Sequence, residues 1–132
     1  MVNALNQYRS YQVESASPED LIILLYDGAR RFTDKALASL EHKDYAAVSL
    51  FTGKAQRILE ELMVTLDTDN GGEIAQNLGA LYEYWIWRLS EGLMKKEHQA
   101  FRDVSAALTD MNQAWEEAAK LVKAQRTGLV HG

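Results

Sequence analysis

The sequence predicts an all-α protein, an antiparallel up-down four-helix bundle with a short N-terminal arm. Its only proline is Pro18, so nearly the whole chain is free of the residue that breaks helices. Apolar residues recur at spacings of three and four in four successive stretches, which is the period of an amphipathic helix. The polar stretches between them are short, and short links place consecutive helices side by side and antiparallel. At 132 residues the chain has room for one such domain.

The composition is that of a soluble globular protein, with 47% hydrophobic and 25% charged residues. The formal net charge of -5 argues against binding to the phosphate backbone of nucleic acid. The chain has no cysteine, which excludes disulfides, thiolate metal sites and cysteine nucleophiles, and which suits a reducing compartment. It shows neither the apolar core of a signal peptide nor a run of about 18 apolar residues. We therefore expect a cytoplasmic protein that does not insert into membranes.

Residues 1–16 form the predicted arm, a polar segment without a sustained apolar period. Ser17 and Pro18 mark the start of the first helix, because serine caps free amides and proline suits the first helical position. The two acidic residues that follow suit the positive end of the helix dipole. Helical spacing continues to a predicted end near Glu41. The expected core stripe is Leu21, Leu25, Gly28, Phe32, Ala36 and Leu40.

Asp44 is the predicted cap of the second helix. A polar loop at 67–72 predicts the end of this helix. The expected stripe of this helix is Val48, Thr52, Ala55, Leu59, Leu62 and Leu66. Asn70, with Glu73 three residues later, resembles a capping box for the third helix. The expected stripe of the third helix is Ile74, Leu78, Leu81, Trp85, Leu89 and Gly92. Lys95 and Lys96 suit the negative end of the dipole of that helix, so they predict where it ends.

The fourth predicted helix has apolar residues in a three-four alternation of the kind that helical bundles use. Its expected stripe is Phe101, Val104, Leu108, Met111, Trp115, Ala118 and Val122. The sequence thus divides into an arm at 1–16, a bundle at 17–123 and a polar tail at 124–132.

An enzyme is not predicted. Di-iron bundles need a glutamate three residues before an inward histidine, and neither His42 nor His98 has one. Both lie at predicted helix ends and His131 lies in the tail, which is typical of solvated histidines. The sequence contains no nucleophile elbow, phosphate-binding glycine loop or zinc-protease motif. We assign no catalytic residue, cofactor or metal.

Basic residues gather in three groups, one on each of the first two predicted helices and one near the end of the chain. They are Arg30, Arg31 and Lys35; Lys54 and Arg57; and Lys120, Lys123 and Arg126. Such groups commonly form a solvated face, and a site for an acidic partner is the alternative.

The third predicted helix is apolar on too many sides for one bundle-facing stripe, which covers little more than about 100°. Ala80, Tyr84, Trp87 and Met94 lie away from that stripe. Either the arm or a wide core covers them, or they form a groove for a helix of a partner. The spacing alone leaves both interpretations open.

A series of short motifs, in order along the chain, resembles one known family. They are Tyr8 and Tyr11-Gln12; Ala16-Ser17-Pro18; Leu24-Leu25-Tyr26-Asp27-Gly28-Ala29; Lys54-Ala55-Gln56; Glu61-Leu62; Thr65-Leu66-Asp67; 71–78; Leu81-Tyr82-Glu83-Tyr84; and Arg88-Leu89. Their order and spacing resemble the FliS family of flagellar secretion chaperones over residues 8–115. The resemblance implies a helical bundle that binds the C-terminal segment of flagellin, prevents its premature polymerisation and presents it to the flagellar export gate.

Six residues are the predicted contacts of that partner: Tyr8, Tyr11, Ile58, Tyr82, Tyr84 and Trp87. The two arm tyrosines carry large rings with polar tips in an otherwise polar segment, and the other four add apolar surface to the second and third helices. No cofactor is needed for such binding. The competing interpretation is a regulatory or structural bundle that self-associates, as a homodimer, through the same apolar surface.

Overall fold

Four helices make up the part of the protein that the computed structural model describes, residues 17–128. They are α1 (Pro18–Glu41), α2 (Tyr45–Val64), α3 (Gly72–Lys95) and α4 (His98–Arg126). α1 packs on α2 and α4, and α3 packs on the same two helices, so α1 and α3 lie diagonally opposite each other. Because short links join consecutive helices, neighbours run antiparallel. The predicted all-α up-down bundle is confirmed, and the predicted arm lies outside the described residues.

Most helix ends lie where the sequence predicts them. Ser17 Oγ accepts a hydrogen bond of 3.2 Å from the backbone N–H of Asp20, and Pro18 is the first residue of α1. The side chain of Asp44 caps α2 in the same way. Lys96 closes α3 in the left-handed conformation, with φ of 54°. The two polar caps and the basic end of α3 therefore predicted these three boundaries correctly, because capping bonds and the helix dipole act within one turn.

The predicted capping box before α3 is wrong. The residue at the cap position is Gly71, and no side chain caps this helix. Asn70 instead folds back on the loop, where its backbone N–H and its side-chain Nδ2 donate to the Asp67 carboxylate at 3.1 and 3.0 Å. Gly72 then has a φ of +57°, a left-handed conformation that favours glycine. Asp67 thus holds the turn through a local side-chain bond that competes with the capping box.

The core draws on all four helices. Its buried apolar members are Tyr26, Ala29, Ala36, Leu40, Val48, Ala55, Leu59, Leu62, Tyr82, Trp85, Leu89, Phe101, Val104 and Leu108. The α1 stripe is rotated from the predicted one, since Tyr26 and Ala29 are buried while Leu25 and Gly28 are half-buried. The cause is that α1 touches two neighbours, so that the residues between them face the bundle axis.

Three further members of the predicted stripes, Ile74, Ala118 and Val122, are exposed. Ile74 is 73% exposed, and its neighbour Ala75 is buried in its place. In α4, Ala119 is buried while Ala118 is exposed, and the helix continues to Arg126, past the predicted boundary. Near helix ends fewer neighbouring turns surround a side chain, so the apolar pattern predicts burial less accurately there.

Two properties of residues 17–128 bear on function. None of the four helices is long and apolar enough to cross a membrane. No group of three or more metal-ligating side chains comes together within this range. His42 follows the end of α1 and is exposed, and His98 begins α4, so both lie at helix ends as expected.

Candidate partner-binding surface

An exposed aromatic pair lies on the outer side of α3. The ring centroids of Tyr84 and Trp87 are 5.8 Å apart, with the ring planes tilted by 40°. The two side chains are 51% and 54% exposed, although large aromatic rings usually supply buried surface. Trp85, between them in sequence, points the other way and is 2% exposed. The pair is therefore surface that the described bundle does not bury.

The pair belongs to a longer stripe, which we call the α3 outer stripe and define as Ala80, Tyr84, Trp87 and Met94. The spacings of four, three and seven residues place these side chains on one side of the helix. All four are exposed, and Met94 is exposed by 74%. The interpretation that a wide core covers this surface is therefore wrong. The alternative, that the arm covers it, concerns residues outside the described range.

Charged side chains around Glu91, near the Met94 end of the stripe, neutralise one another. Glu91 lies between Trp87 and Met94, and its carboxylate accepts a 2.9 Å hydrogen bond from Lys95. That bond raises the pKa of the Lys95 ammonium. Arg88 lies 3.4 Å from the other oxygen of Glu91 and donates at 3.0 Å to Glu97 at the start of α4. This network was not predicted, although Arg88 and Lys95 lie three and four residues from Glu91 in sequence, which is a signal for such pairs.

Tyr82 lies in the core and not on the outer stripe. It is 1% exposed, and its hydroxyl lies 2.8 Å from the hydroxyl of Tyr26 on α1. Burial raises the pKa of both phenols, so both stay neutral. Placing Tyr82 on an exposed surface is thus incorrect, because the residue two positions before Tyr84 faces the opposite side of the helix.

Ile58 lies on another side of the bundle. It is half-buried against α1, where its Cδ1 would lie 3.1 Å from a Cβ placed on Gly28. α1 is diagonally opposite α3, so the structure does not bring Ile58 together with Tyr84 and Trp87. Tyr8 and Tyr11 lie outside the described residues. Of the four predicted contacts within residues 17–128, the structure therefore joins only Tyr84 and Trp87 in one patch.

This arrangement suits binding and not covalent chemistry. An exposed apolar stripe matches the way in which an amphipathic helix docks on a preformed surface. Adjacent aromatic rings are typical energetic centres of such surfaces.

Comparison with known proteins gives one consistent result. The family model described as flagellar protein FliS matches residues 1–122. The chain is 39% identical to a flagellar secretion chaperone of Salmonella typhimurium over 106 residues, which are 80% of this chain and 78% of the relative. It is 31% identical to the chaperone of Bacillus subtilis over 126 residues, 93% of each chain. It is 33% identical to the Pseudomonas aeruginosa chaperone FliSB, over 87% of this chain and 94% of that one.

Proposed function

The chain belongs to the FliS family of flagellar secretion chaperones, and on this premise we propose that it binds the C-terminal segment of flagellin in the cytoplasm and delivers it to the flagellar export gate. The family is one of chaperones and not of enzymes, in agreement with the absence of catalytic motifs from the sequence. The observation that carries the proposal is the exposed Tyr84–Trp87 pair.

The α3 outer stripe supplies the binding surface in this proposal. A disordered amphipathic segment gains order and buries its apolar face when it docks as a helix on a preformed stripe. The same burial keeps that face from other flagellin molecules, so binding alone prevents premature polymerisation. Tyr84 and Trp87 act as anchors, since rings with two rotatable bonds lose little entropy on binding.

Isothermal titration calorimetry with the flagellin C-terminal segment tests the proposal. We expect a one-to-one complex with a negative heat-capacity change, because apolar area is buried as the segment folds. Trp87→Ala weakens binding by about tenfold or more, since this corresponds to loss of about 1.4 kcal/mol at an anchor. Stability changes little, because more than half of this side chain already faces solvent.

Leu50→Ala is the matched control. Leu50 is 52% exposed on α2, so its truncation removes similarly exposed apolar surface away from α3. We expect wild-type affinity from it. Equal affinity of the Trp87→Ala and Leu50→Ala variants would contradict the role of the stripe, and no binding at about micromolar concentration would contradict the proposed function itself.

In this proposal the arm, residues 1–16, covers the α3 outer stripe when no flagellin is bound. Tyr8 and Tyr11 offer two rings to an exposed apolar surface, and an arm bound there competes with flagellin. Removal of residues 1–15 then tightens binding of a flagellin peptide and increases aggregation of the free protein. Weaker binding after removal would place the two tyrosines in the flagellin site instead.

A second candidate role is self-association through the same stripe. Its four-three spacing also suits packing against the identical helix of a second copy. Analytical ultracentrifugation distinguishes the two candidates. A dimer that Trp87→Ala dissociates and that flagellin leaves intact would favour self-association, while a monomer or a dimer that flagellin dissociates favours the chaperone.

A further inference from the structure

The outer side of the α1–α2 pair carries an aromatic stack flanked by two lysines. The rings of Phe32 and Phe51 stack with centroids 6.2 Å apart and planes 18° from parallel. Lys35 Nζ lies 5.5 Å from the first ring centroid and 5.6 Å from the second. Lys54 Nζ lies 5.4 Å from the Phe32 centroid. The fold thus joins two of the basic groups that are separate in sequence.

Neither lysine is neutralised within the described part of the chain. Among residues 17–128, no acidic side chain lies within 4.0 Å of Lys35 or Lys54. The nearest acid in sequence, Asp34, binds Arg30 at 3.1 Å and accepts a hydrogen bond from Ser105 on α4. α1 therefore directs its acidic side towards α4 and its Lys35 side towards α2.

The two lysines can attract an anion although the whole chain has a net charge of -5. Screening limits electrostatic interactions to about 8 Å at physiological salt, so nearby groups decide what binds. Cation–π contacts hold each ammonium over a ring, which reduces the entropy lost when an anion binds. Apolar area is also present, because Phe32, Phe51 and Ile58 are only half-buried on this side.

We propose that this surface, Phe32, Lys35, Phe51, Lys54 and Ile58, binds an acidic amphipathic helix of a partner protein. Carboxylates of the partner bind Lys35 and Lys54, while an apolar side chain packs on the exposed edges of the phenylalanine rings. The surface is separate from the α3 outer stripe because α1 and α3 are diagonal in the bundle. The chaperone could thus hold two partners at once.

Fluorescence anisotropy with a labelled amphipathic peptide tests the proposal. The probe has leucine at helical spacing with glutamate on its other side, and a second peptide has glutamine in place of every glutamate. We expect the acidic peptide to bind at least about tenfold more tightly, with an affinity that falls as salt rises. The double variant Lys35→Gln/Lys54→Gln removes most of that preference.

Arg102→Gln/Lys120→Gln is the control, because it removes the same charge from exposed positions of α4 and leaves α1 and α2 unchanged. We expect it to bind the acidic peptide like the unaltered protein. Equal affinity for the two peptides, equal losses in the two double variants, or no binding at about millimolar concentration would each overturn the proposal.

Titration of the flagellin segment completes the test. Unchanged affinity in Lys35→Gln/Lys54→Gln supports two separate surfaces. A matching loss of flagellin affinity would make this face part of the flagellin site and would overturn a separate partner surface. Failure of flagellin to bind the unaltered protein would contradict only the proposed chaperone function, since the acidic-peptide titration does not depend on it.

Discussion

Two glycines with opposite surroundings show how packing decides the effect of one methyl group. A Cβ at Gly53 in α2 would have nothing within 4 Å, so Gly53→Ala only restricts the unfolded chain and favours the helix. A Cβ at Gly92 in α3 would lie 2.8 Å from the Phe101 ring and 2.9 Å from Ala100 Cβ. We expect Gly53→Ala to raise the free energy of unfolding by about 0.5–1 kcal/mol and Gly92→Ala to lower it by about 1–3 kcal/mol. Urea denaturation followed by circular dichroism measures both, and equal signs would contradict the close packing at Gly92.

The Tyr26–Tyr82 hydrogen bond is the clearest polar interaction of the core, and it joins the diagonal helices α1 and α3. Tyr26→Phe leaves the Tyr82 hydroxyl buried without this bond, so we expect a loss of stability of about 1–3 kcal/mol. The double variant Tyr26→Phe/Tyr82→Phe removes both polar groups and should cost less than the sum of the single variants. A double-mutant cycle by chemical denaturation measures this difference, and strict additivity would show that the two hydroxyls do not interact in solution.

At the scale of elements, two ion pairs join the first turn of α1 to the last turns of α4. Lys123 Nζ lies 2.7 Å from Asp20 Oδ1, and an Arg126 nitrogen lies 2.7 Å from Glu19 Oε1. These cations lower the pKa of both carboxyl groups, chiefly through Arg126 at Glu19 and Lys123 at Asp20. Groups with lowered pKa stabilise the folded state above their unfolded pKa, about 4, and this stabilisation is lost as pH falls through the folded values.

We therefore expect the end of α4 to fray selectively as the pH falls below about 4 or as salt rises to about 1 M. The double variant Lys123→Gln/Arg126→Gln should show the same fraying at pH 7. Nuclear magnetic resonance of the backbone amides at 119–126 measures it, with amides near the buried Leu108 as the internal control. An equally ordered helix end in the double variant would show that the ion pairs contribute nothing there.

At the scale of the whole molecule, every helix contributes to one core, so no helix can leave without exposing the others. We expect a single cooperative unfolding transition. In a Trp87→Phe variant, fluorescence reports mainly the buried Trp85 and the half-buried Trp115, while circular dichroism reports all helices. The two denaturation midpoints should coincide. A fluorescence transition that precedes the loss of helix would instead reveal an intermediate with a loosened core.

The sequence by itself determined the helices, two of their caps and the family. Ser17 and Asp44 cap their helices as predicted because each bond spans three residues and needs no distant partner. Apolar spacing also placed Tyr84 and Trp87 off the core side of α3, since the helical period alone separates them from Leu78, Trp85 and Leu89.

Only the tertiary structure decided which side chains share a surface. Tyr82 lies at the core edge of the α3 pattern, and its hydroxyl can stay buried because it is hydrogen-bonded to the hydroxyl of Tyr26, which is 56 residues away. Lys35 and Lys54 belong to separate groups in sequence, and the stacked rings of the α1–α2 contact bring them together. The physical reason is that the spacing of apolar residues shows which side of a helix is apolar. The packing of the two neighbouring helices decides how much of that side is buried and which side chains lie next to it.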